Sequence, residues 1–284
     1  MRLYLITTDH MERKVWFRET ADYKAGMNYV AVTAFRTKVM IVAFILMSNH
    51  VHFLILGTCQ DAQCFIRLFK QLYGTYYCRK YDTSRFMRRN KVDIREILLT
   101  DEAPERAIAY VQMNSVAARI CLDASGYRWG TGSCFFNDFR PKWQQLGDMS
   151  LRAQRRLLKT HVTLPQNWLL SDDGYVLPES YVNIEYVENL FRTPPRMRYF
   201  LLNSSKAKLV AESTAPSFQD SVVLSASKDL CRTLFHKSCP EELTAPEKAE
   251  LIRQLNRRLS ADIHQLSRVV GLQYQEISNI LSSF

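Results

Sequence analysis

Two histidines separated by one residue, His50 and His52, are the side chains in this sequence best placed to do chemistry. They sit in Met47-Ser48-Asn49-His50-Val51-His52-Phe53-Leu54-Ile55, between an apolar run from Val39 to Leu46 and another from Phe53 to Leu56. Side chains alternate faces along a strand, so His50 and His52 share a face and Val51 points into the core. Two imidazoles on one face of a rigid strand can hold a divalent metal. A lone His-x-His is weak, because most are structural or simply exposed, and such a site needs a third ligand and a group to activate. Tyr110 and Asn114 offer both. They are four residues apart in the apolar helical pattern Ala109-Tyr110-Val111-Gln112-Met113-Asn114 and so share a helix face. If that face packs across from the histidines, the Asn114 carbonyl oxygen can complete a metal site, with the Tyr110 phenol beside it. The plain alternatives are a core tyrosine and a packing amide. Asp9 and Glu12 could reach the site from the end of the first strand, whereas His10, His161, His236 and His264 have no partner pattern.

The elements that must position these residues are legible from periodicity. Residues 2–8 alternate as a strand. Val15-Trp16-Phe17 reads as a short strand or a loop anchor. Thr20 or Asp22 can cap a helix to about Phe35, with Tyr23, Met27, Val30, Val32 and Ala34 apolar. Lys38 to Met47 predicts a strand buried on both faces, and His50 to Leu56 its hairpin partner across Ser48-Asn49. Phe65, Leu68, Phe69, Leu72 and Tyr76 predict a helix from Asp61 to about Lys80. After a basic loop or short strand at 85–92, a helix capped by Asp101, with Pro104 in its first turn, runs to about Leu122. Helices following hairpin-paired strands predict an α+β, ferredoxin-like antiparallel sheet with helices on one face.

The chain has 284 residues, 47% of them hydrophobic and 12% aromatic, which suits a globular protein with a real core. No apolar run is long enough for a membrane span, and the first residues read as a strand rather than a signal peptide. Its seven cysteines form no CxxC, so reduced thiols in a cytoplasm are expected. The net charge of +10 favours a polyanionic partner. Nine Lys/Arg against two acidic residues fall between Arg67 and Arg95, interleaved with Phe69, Tyr73, Tyr76, Tyr77, Tyr81 and Phe86. Cations for phosphates with aromatic faces for unstacked bases are the composition of a single-strand-binding surface. Arg67, Lys70, Arg79, Lys80, Arg88 and Arg89 are its candidate contacts. The alternative is a basic helix whose aromatics are its core face.

Beyond residue 140 the character changes to a mostly helical extension. Ser150 to Lys159 predicts a short basic helix, Ser171-Asp172-Asp173-Gly174 a turn, and 203–227 a Ser-rich span. Helices are expected from Ala245 to about Leu259, from Ile263 to Val270 after an Asp262 cap and before a Gly271 stop, and from Gln273 to Leu281. Two short helices around a Gly-containing turn fit helix-turn-helix, and a plain three-helix cap is the alternative. The divisions expected are 1–140, a linker or accessory helical region at 141–235, and a helix-turn-helix-like unit at 236–284.

Ile45 to Ile55 closely resembles the MPNHVHLLV segment of the HUH single-tyrosine transposases, and more narrowly of their branch associated with repeated extragenic palindromes. Tyr110-Val111-Gln112-Met113-Asn114-Ser115-Val116 resembles that branch's YIxxNPV segment, and Tyr127-Arg128-Trp129-Gly130 its Y-x-W-S-S. Order and spacing also match, over about residues 1–138. Ser48 and Ser115 stand where the family has proline, and neither change removes a proposed ligand or nucleophile. The resemblance implies the HUH fold, with His50 and His52 binding Mg²⁺ or Mn²⁺ and Asn114 as third ligand. It implies that Tyr110 attacks DNA, giving a 5′-phosphotyrosine link and a free 3′-OH, so that a strand can be rejoined without ATP.

The expected function is therefore a metal-dependent DNA transposase, a single-strand nickase and joinase acting on hairpin-bearing DNA as monomer or homodimer in the cytoplasm. A domesticated, catalytically quiet protein that binds palindromic repeats is the alternative. A metal-dependent hydrolase that activates water is a third reading, and no acidic cluster or third histidine favours it.

Overall fold

Two continuous apolar runs build the centre of the molecule. β2 (Met40–Leu46) and β3 (Val51–Gly57) are buried along nearly their whole length. Ser48-Asn49 joins them in a tight hairpin, closed by a hydrogen bond from the Met47 amide to the His50 carbonyl (2.9 Å). β1 (Arg2–Thr8) pairs with β3 on one side and with β4 (Val92–Ile97) on the other. The result is a four-stranded antiparallel sheet in the order β2-β3-β1-β4. The computed structural model describes residues 2–8, 15–84, 86–87, 90–137, 144–207 and 218–282.

Register assigns the two faces. Phe53 of β3 meets Phe65 and Phe69 of α2 (Cys59–Tyr81), with ring centres 5.0 and 5.2 Å apart. α1 (Thr20–Thr37) lies beside α2 on that face, with Tyr29 against Tyr76. These are buried side chains, each contributing roughly 1.5–3 kcal/mol on leaving water. His52, one residue before Phe53, points to the opposite face, and there it meets α3 (Ala103–Gln112). The helices are thus not confined to one face as expected. α1 and α2 take one, and α3 covers part of the other.

The helix expected to run unbroken from Asp101 to Leu122 is shorter and divided. Asp101 and Glu102 adopt left-handed backbone, with φ of 55° and 59°, and do not form an ordinary cap. α3 ends at Gln112, and α4 (Asn114–Ala117) follows after Met113. The break has a local cause. The Asn114 amide donates to the Tyr110 and Val111 carbonyls (2.8 and 3.2 Å), competing with the helical ladder.

An edge strand as apolar as β2 invites pairing with another chain. Here the chain covers that edge itself. The Leu46 amide donates to the Trp129 carbonyl (2.8 Å), the Thr131 amide to Phe44 (3.0 Å) and the Asn183 amide to Ile41 (2.8 Å). Gly130 permits the close approach, since a Cβ there would lie 2.7 Å from the Phe44 carbonyl oxygen.

Packing gathers the residues after 140 into three sets. Leu146, Leu158, Leu164, Leu170 and Val176 form a layer with Ala31 and Val32 over the outer side of α1. This layer holds α5 (Leu151–Leu158) and the two-residue strands β5 (Gln144–Gln145) and β6 (Leu169–Leu170). Tyr175, Leu177, Val187, Phe191, Met197 and Phe200 enter the same core as the sheet. Among these, α6 (Ile184–Phe191) and α7 (Pro194–Leu202) reach the α3 side, where Arg196 pairs with Glu105 (2.8 Å). α8 (Asp220–Phe235), α9 (Ala245–Leu259), α10 (Ile263–Val270) and α11 (Tyr274–Ser282) share a separate core around Val223, Leu251, Leu255, Leu266 and Ile277. Asp262 caps α10 and Gly271 ends it at φ 78°, as the sequence predicts. No helix among the described residues is long and apolar enough to cross a membrane.

Candidate functional site

His52 is held in place by its neighbour across the sheet. Thr7 of β1 is its direct register partner, and the Thr7 hydroxyl lies 3.0 Å from His52 Nδ1. His50 stands one residue outside β3, at the hairpin end, and is partly exposed, whereas His52 is 2% exposed. Asn49 Oδ1 lies 2.9 Å from His50 Nδ1. An amide oxygen only accepts, so Nδ1 is the protonated nitrogen and Nε2 carries the lone pair of the neutral ring. The two imidazole centres are 4.9 Å apart and nearly perpendicular.

Tyr110 comes to this pair from α3. Its ring is 5.6 Å from that of His52, edge to face. Burial pushes the Tyr110 phenol above its ordinary value, and the charge of Arg95 opposes the rise. Arg95 and Asp93 lie on the histidine face of β4, in register beyond Leu5 and Thr7, and both are exposed. On this side the face opens to solvent. A further cation comes from the extension: Lys206 Nζ lies 4.9 Å from the centre of the Tyr110 ring. Burial pulls the Lys206 ammonium below the usual lysine range.

The structure thus brings together His50, His52 and Tyr110. Asn114 is buried, and its amide hydrogens are spent on its own helix, which leaves Oδ1 as the one atom that could serve as a ligand. Among the described residues, no three His, Cys, Asp or Glu side chains gather as a metal-binding group. The donor set is two imidazoles whose Nδ1 atoms are each engaged by a side-chain oxygen. Metal-binding histidines are oriented in this way, and the set fits a divalent cation whose other positions are filled by oxygen from phosphate or water. Asp9, His10 and Glu12 lie outside the described residues.

The hairpin that carries Asn49-His50 is itself braced. The Trp16 and Phe17 amides donate to the Ser48 carbonyl (2.7 and 3.0 Å), so the loop-anchor reading of 15–17 is the one realised. The Tyr127 hydroxyl donates to the Leu46 carbonyl (2.7 Å). Trp129 stacks on Tyr23 at 5.0 Å. The Tyr127–Gly130 segment therefore fixes the end of β2 just before the turn.

The basic residues of α2 lie elsewhere. Arg67, Arg79 and Lys80 are exposed and Lys70 is partly so, but α2 covers the sheet face opposite the histidines. Lys70 donates to the Asn90 carbonyl (2.6 Å), and Lys80 pairs with Glu19 and the buried Asp22, both at 2.5 Å. Arg88 and Arg89 lie outside the described residues. Phe69, Tyr73, Tyr76 and Tyr77 are buried. They form the core face of α2 rather than a platform for bases, because they fall on one side of the helix at positions i, i+4, i+7 and i+8.

Sequence reading missed Thr7, Arg95 and Lys206. Thr7 and Arg95 follow only from strand register, and Lys206 has no local signal because its partner is far away in the chain. No protein-family model, curated protein or solved structure matches the chain.

Proposed function

We propose that this chain is a metal-dependent, single-strand-specific DNA nickase and strand-transfer enzyme, an HUH single-tyrosine transposase of the palindrome-associated branch. The meeting of the His52 and Tyr110 rings at 5.6 Å carries the reading. Two motifs far apart in sequence converge on one side of one sheet. The element order β-α-β-β-α-β with sheet order β2-β3-β1-β4 supports the ferredoxin-like assignment. Contact within one chain favours a tyrosine that serves its own histidines.

In this reading the Tyr110 phenolate oxygen attacks a backbone phosphorus. The new O–P bond replaces the P–O3′ bond, the phenol proton passes to solvent and the leaving 3′ oxygen takes up a proton. The phosphotyrosine conserves the phosphodiester's bond energy, so attack by another 3′-OH reverses the step and joins strands. Thr7 and Asn49 hold the two imidazoles, and Arg95 and Lys206 supply positive charge near the phenol. A divalent cation on His50 and His52, with Asn114 the remaining candidate, would supply Lewis-acid polarisation of a non-bridging phosphate oxygen. Hairpin-bearing single-stranded DNA is the proposed substrate, with the exposed cations of α2 as sequence-independent phosphate contacts.

The test is incubation with labelled single-stranded hairpin DNA and Mn²⁺. A covalent protein–DNA adduct is expected from the wild type and none from Tyr110→Phe. Hairpin binding with no adduct, unchanged in His50→Ala and Tyr110→Phe, would instead select the quiet DNA-binding protein. Cleavage without an adduct would select a hydrolase.

A further inference from the structure

We propose that Asp220, supplied by the C-terminal helical unit, is a positioning residue for His50. The inference rests on His50 belonging to the functional site. Asp220 opens α8 and is 3% exposed. Its carboxylate collects donors from two other parts of the chain. The Ser48 hydroxyl donates at 2.5 Å. From α10, Gln265 Nε2 donates at 2.9 Å, and Arg268 donates twice, through Nε at 2.6 Å and Nη2 at 2.9 Å.

Ser48 is the first residue of the turn and lies two before His50. Its carbonyl is held by the Trp16 and Phe17 amides and its hydroxyl by Asp220, so the backbone and side-chain oxygens of this buried residue are both fixed. Asn49, the second residue of the turn, then presents Oδ1 to His50 Nδ1 at 2.9 Å. His50 lies outside the regular ladder of β3, so the turn sets the backbone from which its ring projects. His52, within the ladder, is engaged by Thr7.

A buried ion pair is a poor way to gain stability, because well-packed apolar residues of similar volume often do as well. What such a pair does provide is direction. A bidentate arginine fixes the plane of the carboxylate, and the carboxylate then fixes the serine hydroxyl. Ser48 stands where the resembled motif has proline, a residue that would fix the turn through its ring. Here the turn is fixed by a hydrogen bond to the extension. The same arrangement turns Gln265 and Arg268 of α10 inward onto Asp220, and Gln265 also donates to the Phe218 carbonyl (2.6 Å).

The experiment uses the full chain with Ser48→Ala, Ser48→Thr, Asp220→Asn and, separately, His50→Ala. The readouts are the His50 ring nitrogen shifts by long-range ¹H–¹⁵N NMR, Mn²⁺ affinity by EPR, and the melting temperature. Ser48→Ala is expected to melt near the wild type, to shift the His50 ring nitrogens and to weaken Mn²⁺ binding about tenfold, the scale of losing an orienting partner of a ligand. Ser48→Thr, which keeps the hydroxyl, should restore both signals. Asp220→Asn should act like Ser48→Ala, and if it does not fold, the Ser48 pair decides alone. Wild-type His50 shifts in Ser48→Ala overturn the proposal. Wild-type Mn²⁺ affinity in His50→Ala would overturn the metal reading instead, and the NMR result would still judge the positioning.

Discussion

Replacing Lys206 with methionine should slow formation of the Tyr110–DNA adduct, and most strongly near neutral pH. The ammonium lies 4.9 Å from the centre of the Tyr110 ring. A phenol titrates near 10, so at pH 7.5 less than about 1% is phenolate. Burial raises the Tyr110 value further, and any cation that favours phenolate therefore matters. Coulomb attraction between an ammonium and a phenolate roughly 5 Å apart is about 1–2 kcal/mol at an effective dielectric constant of about 40–80. At about 1.4 kcal/mol per factor of ten, the expected loss is roughly five- to thirtyfold in rate. Methionine keeps most of the apolar stem, so packing changes little. The sign follows from the charges. Removing the cation moves the phenol's titration further up, so the rising limb of log rate against pH shifts to the alkaline side. Burial lowers the Lys206 titration, so the wild type loses this charge at a lower pH than an exposed lysine would, and the two profiles converge there. The assay is single-turnover adduct formation at saturating Mn²⁺ and oligonucleotide, from about pH 7 to about pH 9.5. Lys206→Arg should retain most of the rate. An unchanged rate in Lys206→Met refutes the electrostatic role.

Thr7→Val removes the hydroxyl 3.0 Å from His52 Nδ1 while keeping a β-branched side chain. Mn²⁺ affinity should fall about tenfold, measured by isothermal titration calorimetry, and an unchanged affinity would detach Thr7 from the site. Gly130→Ala places a Cβ 2.7 Å from the Phe44 carbonyl oxygen and 3.2 Å from Ile45 Cα. The edge pairing on β2 must then open, at a cost of about 1–3 kcal/mol, read as a lower urea midpoint; an unchanged midpoint would show that the contact yields freely.

How much of this was readable in advance follows from the range of each signal. The His50/His52 face and the two buried central strands are legible because period-two alternation and apolar runs are local. The caps at Asp262 and Gly271 are legible for the same reason. Tyr110 and Asn114 keep their i,i+4 relation, but the Asn114 amide divides the helix they share, and residue spacing does not reveal which carbonyl a side chain will take. The composition of α2 favours a base platform, with a core face as the alternative, and the burial of Phe69, Tyr73, Tyr76 and Tyr77 selects the alternative. Thr7 beside His52 needed the β1–β3 register. Lys206 beside Tyr110 and Asp220 beside Ser48 needed the tertiary fold, because each joins the extension to residues about a hundred positions or more earlier.

The arrangement also constrains the route of DNA under the proposed function. The histidines and Tyr110 occupy one face of the sheet, and the exposed cations of α2 lie on the other. A strand that touches both must pass around an edge. The β2 edge is occupied by the Trp129–Thr131 and Asn183 hydrogen bonds. β4 is the opposite outer strand, and among the described residues no further strand pairs with it. Its histidine-side residues, Asp93 and Arg95, are exposed. Arg95 already acts on the Tyr110 phenol, so its position suits contact with an incoming phosphate. The route that agrees with both the covered and the open edge runs from α2, over β4, to Tyr110.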